Sequence, residues 1–252
     1  MKPFVFHRLW TDGLATSAAK SLEDFSSAIH WAELSPFKIT VAYFVDDGLR
    51  DVSHLLAGLS PVEISKVAEI VDIEERRHFV LRRCFQRVFV ATVVSWTEAL
   101  HRLPLRHGLD QQPHSAAAPV LALSFSSSGQ TVCACASADH FVGIDVERMR
   151  KIHNVDELSA RFFTGDEAVA LLEIPENRRN VAFLQYWTAK EAALKSIGRG
   201  IVSGLNRFCI LFVDGNLVIR DTREALNPYA FTFHHPNLLE DHVIAIVHKP
   251  RN

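Results

Sequence analysis

The stretch "FVGIDVERM", residues 141–149, decides how the chain is read. It is an apolar run broken by two acids, Asp145 and Glu147, one residue apart. Side chains alternate across a strand, so Val142, Ile144 and Val146 point one way and Gly143, Asp145 and Glu147 the other. Gly143 leaves open space beside the acids. Taken alone, this is a strand with one solvated face, an ordinary arrangement in antiparallel sheets.

A second stretch changes the weighting. In "WTAKEAALK", residues 187–195, a helix would place Trp187, Glu191 and Lys195 on one face at i, i+4 and i+8. By itself this is an aromatic anchor with a surface Glu–Lys pair, and Lys190 sits on a neighbouring face. Brought together, Asp145, Glu147 and Glu191 form a three-carboxylate cluster. Converging acids repel and call for a cation. Oxygen-only ligands suit Mg²⁺, which keeps waters and shares its shell with substrate phosphates. Lys195, one turn beyond Glu191, would reach a phosphate oxygen or a leaving group. Such a site fits phosphoryl-type transfer, in which positioning and charge neutralisation dominate.

The surroundings are those of a soluble protein. The 252 residues are 48% apolar and 22% charged, with net charge −2. That balance argues against a general nucleic-acid binder. The start, "MKPFVFHRLWTDG", lacks a signal-peptide core, and nothing approaches the roughly 18 apolar residues of a membrane helix. Cys84, Cys133, Cys135 and Cys209 show neither zinc nor redox spacing and are read as reduced thiols of a cytoplasmic protein.

Along the chain, residues 1–37 show no clear organisation. "KITVAYFV" (38–45) is a strand. "SPVE" (60–63) opens a helix with a capping box and Pro61 at its first position. A longer helix is expected from about Ile73 to Leu100, with Arg76, Arg77, Arg82, Arg83 and Arg87 in its first half. "RHGLDQQPHSAAAP" (106–119) is a loop and the seam between two halves, 1–118 and 119–252. Strands follow at 131–137 and 141–147, then a helix capped by "TGDE" (164–167), a helix over 180–198 ended by Gly198, and four terminal strands. The class is α+β.

"GIDVE" followed some forty residues later by "WTAKEAALKSIGRGI" resembles the 4′-phosphopantetheinyl transferases of the long, Sfp-like class. "ARFFTGDE" (160–167), "LSPVE…EERRHFVLRRCFQR" and "SFSSSG" (124–129) match that family's intervening segment, first-half helices and N-x-S-H-S-G strand end. The order and spacing agree over roughly residues 38–248.

The resemblance implies a fold of two similar α/β halves related by a pseudo-two-fold axis, with the active site at their seam. It implies transfer of phosphopantetheine from coenzyme A to a serine of an apo acyl or peptidyl carrier protein, with Mg²⁺, releasing 3′,5′-ADP. Asp145, Glu147 and Glu191 match the metal-binding acids. Lys195 matches the lysine that protonates the leaving group, and Glu191 or its water would take the serine proton. Arg83 matches an arginine at the coenzyme's adenylate end. Ser126 and Ser127 fall where phosphates bind. Glu167 matches a further catalytic acid, although a capping box with Thr164 explains it without catalysis. No nucleic acid or membrane partner is expected, and one chain can build the whole site as a monomer. Two positions depart from the family. Ser127 replaces a histidine, and Gln112 stands where a lysine would fall, so two positive phosphate contacts are lost. Weaker coenzyme binding, or compensation by first-half arginines, is expected. A relative that binds coenzyme A or a carrier without efficient transfer, and an unrelated Mg²⁺ phosphohydrolase, are the alternatives.

Overall fold

The computed structural model describes residues 8–11, 14–106, 113–198, 204–213, 216–224 and 231–251. The segment left unorganised above holds α1 (Thr16–Ser27) and β1 (His30–Leu34). α1 buries Ala18, Leu22 and Phe25, one helical face, but its N-cap Ala15 makes no side-chain cap, so no start signal marks it. β1 pairs antiparallel with β2 (Ile39–Val45). α2 (Pro61–Glu69) carries the expected capping box of Ser60 and Glu63. α3 (Ile73–Val93) stops seven residues short of the expected Leu100. Three β-branched residues, Thr92–Val94, weaken its last turn. Ser95 then takes φ 54°, and the Trp96 amide turns back onto the Ala91 carbonyl.

After the short β3 (Leu105–Arg106) and β4 (His114–Ser115) come β5 (Ala122–Ser128), β6 (Thr131–Ser137) and β7 (His140–Arg148). α4 (Val155–Phe162), α5 (Gly165–Glu173) and α6 (Glu176–Ser196) follow, then β8 (Phe208–Val213), β9 (Asn216–Asp221), β10 (Thr232–His234) and β11 (His242–Pro250). α6 starts four residues earlier than its sequence pattern suggested, behind Pro175. It ends as expected, with Gly198 at φ 69° just past its C-terminus.

Two larger sheets result. One has the order β1-β2-β6-β5 and the other β10-β11-β7. The chain changes sheets between β6 and β7, not at residue 118: β5 and β6 complete the sheet that β1 and β2 begin. The expected halves 1–118 and 119–252 therefore share a sheet, because β2 pairs with β6 along Thr40–Val45.

The layers run helix, sheet, sheet, helix. One apolar cluster joins α1 and α3 to the first sheet through Phe25, Phe85, Phe89 and Leu123. A second lies between the sheets and includes Val41, Cys133, Cys135, Val142, Ile144, Val146 and Ile246. The third joins α6 to the second sheet through Ala189, Ala193 and Ala245. The layer sequence reads the same from either side, which suits two paired halves. It also corrects the half-solvated reading of β7. Its valine face meets the other sheet and its acid face meets α6, so Asp145 is only 4% exposed.

At the far end of β7 lies a histidine cluster. His248 is buried, with its ring parallel to His234 and edge-on to His140, and Phe37 packs against it. His234 Nε2 and His248 Nε2 are 3.1 Å apart, and His248 Nδ1 is buried without a partner. Burial, with His234 and His140 adding to it, pushes the His248 pKa down to about 4. An unfolded histidine titrates near 6.5, so the folded protein holds this stability in full above about pH 6.5. It loses it as pH falls toward 4, on the order of 2 kcal/mol. Denaturant unfolding across that window should show the fall, and His248→Gln should flatten it.

Candidate active site

Asp145 sits mid-strand on β7, opposite Ala245 of β11. Its Oδ1 accepts from Lys195 Nζ at 2.6 Å and from Ser126 Oγ at 2.7 Å. Its Oδ2 is buried without a protein partner. Burial raises the Asp145 pKa, Lys195 opposes the shift, and Glu147 adds to it. Two residues on, Glu147 Oε2 accepts from Ser128 Oγ at 3.1 Å and from Arg150 Nη1 at 2.6 Å.

Glu191 and Lys195 come from α6, which lies unusually close to β7. Gly143 is the cause. A Cβ built there would fall 1.9 Å from the Ala192 carbonyl oxygen and 2.7 Å from the Ser196 nitrogen. The space beside Gly143 is therefore filled by helix backbone and is not open room beside the acids, as its sequence had suggested. The close approach carries Glu191 into the field of both β7 acids. Its pKa is pushed up to about 7, chiefly by burial and then by Asp145 and Glu147, with Lys195 opposing. Trp187 packs on Phe162 and Phe183.

Among the described residues no three His, Cys, Asp or Glu side chains are gathered closely enough to enclose a metal. The chemistry of the site still fits a hard cation. A buried carboxylate oxygen of Asp145 lacks a partner, and Asp145 and Glu147 both raise the cost of ionising Glu191. Mg²⁺ needs only one or two carboxylates when phosphates and waters complete its shell.

Ser126 also borders a cavity of about 300 Å³ whose lining includes Phe79, Arg82, Arg83, Ser127 and Cys133. Arg83 lies over the Phe79 ring and donates to Gln86. Arg82 has no carboxylate partner among the described residues, and it lines an adjoining cavity with His78, Ser127 and Gln130. Gln112 lies outside the described residues.

Glu167 does not join this cluster. Its Oε2 accepts from the Thr164 amide at 2.8 Å and hydroxyl at 2.9 Å and meets Lys190 Nζ at 2.6 Å, while Oε1 accepts from the Ile210 amide. Lys190 is fully buried and also donates to the Leu205 and Phe208 carbonyls. Glu167 thus ties α5 to α6 and β8. The catalytic expectation for Glu167 gives way to this structural role: both oxygens are already engaged. The sequence placed Lys190 only on a face neighbouring that of Glu191, and its pairing with Glu167 comes from the tertiary fold.

A buried aspartate paired with a lysine, with a helix glutamate nearby and a neighbouring cavity lined by arginines, is an arrangement whose charges suit an anionic phosphate group. Residues 141–247 match the model of the 4′-phosphopantetheinyl transferase superfamily. The 4′-phosphopantetheinyl transferase HetI of a Nostoc species is 28% identical over 166 residues, 62% of this chain and 67% of its own. The transferase Sfp of Bacillus subtilis is 29% identical over 135 residues, 52% of this chain and 59% of its own. A solved holo-(acyl-carrier-protein) synthase of Bacillus anthracis, in complex with CoA (3′,5′-ADP), is 19% identical with a TM-score of 0.38, over 44% of this chain and 96% of its own. Over residues 141–247 the chain is similar to the 4′-phosphopantetheinyl transferase superfamily, and these curated relatives carry that transferase name. The aligned stretches cover between 29% and 75% of the curated relatives' own lengths. No helix among the described residues is long and apolar enough to cross a membrane.

Proposed function

We propose that the protein transfers 4′-phosphopantetheine from coenzyme A to a serine of an apo acyl or peptidyl carrier protein, releasing 3′,5′-ADP. The observation that carries this reading is the pairing of buried Asp145 with Lys195, both hydrogen-bonded to Ser126, which borders the cavity that Arg83 also lines. Asp145, Glu147 and Glu191 would hold Mg²⁺. When bound, Mg²⁺ supplies neutralisation of the pyrophosphate charge.

The chain's own residues supply the rest. Glu191, or a water it orients, takes the proton of the carrier serine. The serine oxygen forms a bond to the β-phosphorus as the bond to 3′,5′-ADP breaks. Lys195 Nζ, held by Asp145 and Ser126, presents a proton to the leaving phosphate. Ser126 is then an organiser more than a phosphate contact. Its one donor goes to Asp145, and its oxygen accepts from Lys195 and from the Val146 amide.

The lost positive charge at Ser127 is supplied from α3. Arg82 borders both cavities that Ser127 borders. A charge-assisted hydrogen bond contributes roughly 1.5–3 kcal/mol, so Arg82→Ala should raise the KM for coenzyme A about tenfold or more. The kcat should change little, which a steady-state titration of coenzyme A will read.

The reading is tested by following 3′,5′-ADP with and without an apo carrier. Release only with the carrier supports transfer. Phosphate release from coenzyme A without a carrier would point to a hydrolase, and coenzyme binding with no release to a binding protein.

A further inference from the structure

β7 pairs through one edge with β11. No strand ladder covers its other edge among the described residues, and β5 of the other sheet lies there. The amides on that edge are satisfied by hydroxyls. Ser124 Oγ accepts from the Ile144 amide at 3.0 Å, Ser126 Oγ from Val146 at 3.4 Å and Ser128 Oγ from Arg148 at 3.0 Å. Both strands advance by two residues per bond. Three serine side chains thus stand in for a missing strand and join the sheets.

A hydroxyl that accepts a hydrogen bond still has its own proton to give. Ser126 gives it to Asp145 and Ser128 gives it to Glu147, in each case the acid just before the amide it accepts from. The joint between the sheets and the aim of the acids are therefore set by the same atoms. We propose that Ser128 is a positioning residue that fixes Glu147 for cation binding, as Ser126 does for Asp145. Ser128 is the cleaner case, because Ser126 also holds Lys195. The second partner of Glu147, Arg150, has a side chain 53% exposed, and such pairs hold geometry weakly.

This inference rests on the acids binding a cation, and the experiment separates the two. Mn²⁺ is titrated into the protein calorimetrically, without coenzyme or carrier. The wild type should bind it. Ser128→Ala should weaken binding about tenfold or more, as loss of a partner behind a metal ligand does. Ser128→Thr keeps the hydroxyl on a strand-favouring side chain and should bind within about threefold of the wild type, on the same scale. Melting temperatures report the strand joint separately, and a purely structural serine would lower them without moving the Mn²⁺ affinity. Equal Mn²⁺ affinity in wild type and Ser128→Ala overturns the proposal, as does equal weakening in Ala and Thr. No Mn²⁺ binding by the wild type would overturn the cation reading itself, and the proposal with it.

Discussion

Gly143→Ala should damage both the fold and the site. The new Cβ would sit 1.9 Å from Ala192 O, 2.9 Å from Ala192 C and 2.7 Å from Ser196 N. These are backbone atoms, so no rotamer change can relieve the contact, and α6 must shift away from β7. Overpacking of this kind costs typically 1–3 kcal/mol, and more where backbone must move. We expect at least about 3 kcal/mol here, read as a lower midpoint in denaturant. The catalytic consequence is separate. α6 carries Glu191 and Lys195, while β7 carries Asp145 and Glu147. A displacement of about 1 Å between reacting groups lowers rate on the order of 100-fold. The folded fraction of Gly143→Ala should show that loss. A variant as stable and as active as the wild type would mean that the β7–α6 contact does not set the site.

Asp145→Asn should have the largest effect on the chemistry. The amide is nearly isosteric, but it removes the charge that faces Lys195 and would face the cation. Deleting one preorganised electrostatic contact of a transition state costs about 10²–10³ in rate. With the Lys195–Asp145 ion pair lost as well, kcat/KM for the carrier should fall about 10³-fold or more. The melting temperature should hold or rise, since burial already raises the cost of ionising Asp145. Retained transfer would remove Asp145 from the centre of the mechanism.

Much of the fold was legible where local chemistry and tertiary context agree. Ser60 with Glu63 and Thr164 with Glu167 mark two helix starts by capping boxes, and both form. Gly198 marks a helix end. The early stop of α3 was hidden because Trp96 is held by a distant residue: the Trp10 indole donates to its carbonyl. α1 was hidden because Ala15 offers no cap.

The site divides in the same way. Asp145, Glu147, Glu191 and Lys195 follow from alternation on a strand and from the four-residue step of a helix. The alternating serines Ser124, Ser126 and Ser128 were visible as a period of two, but their partners lie across a sheet boundary, and no local rule predicts that. Glu167 was misassigned for a related reason. The capping box named its neighbours on α5 correctly, but its remaining bonds come from Lys190 and Ile210, which only the tertiary fold supplies. Gly143 looked like room for a ligand because sequence does not tell an open space from one filled by another segment's backbone.

The most direct measurement is the intact mass of an apo carrier protein after incubation with this protein, coenzyme A and Mg²⁺. The account predicts a gain of one phosphopantetheine, located on a single carrier serine, and no gain when Asp145→Asn replaces the wild type. A carrier that keeps its apo mass with the wild-type protein at saturating coenzyme A and Mg²⁺, across both acyl and peptidyl carriers, would contradict it.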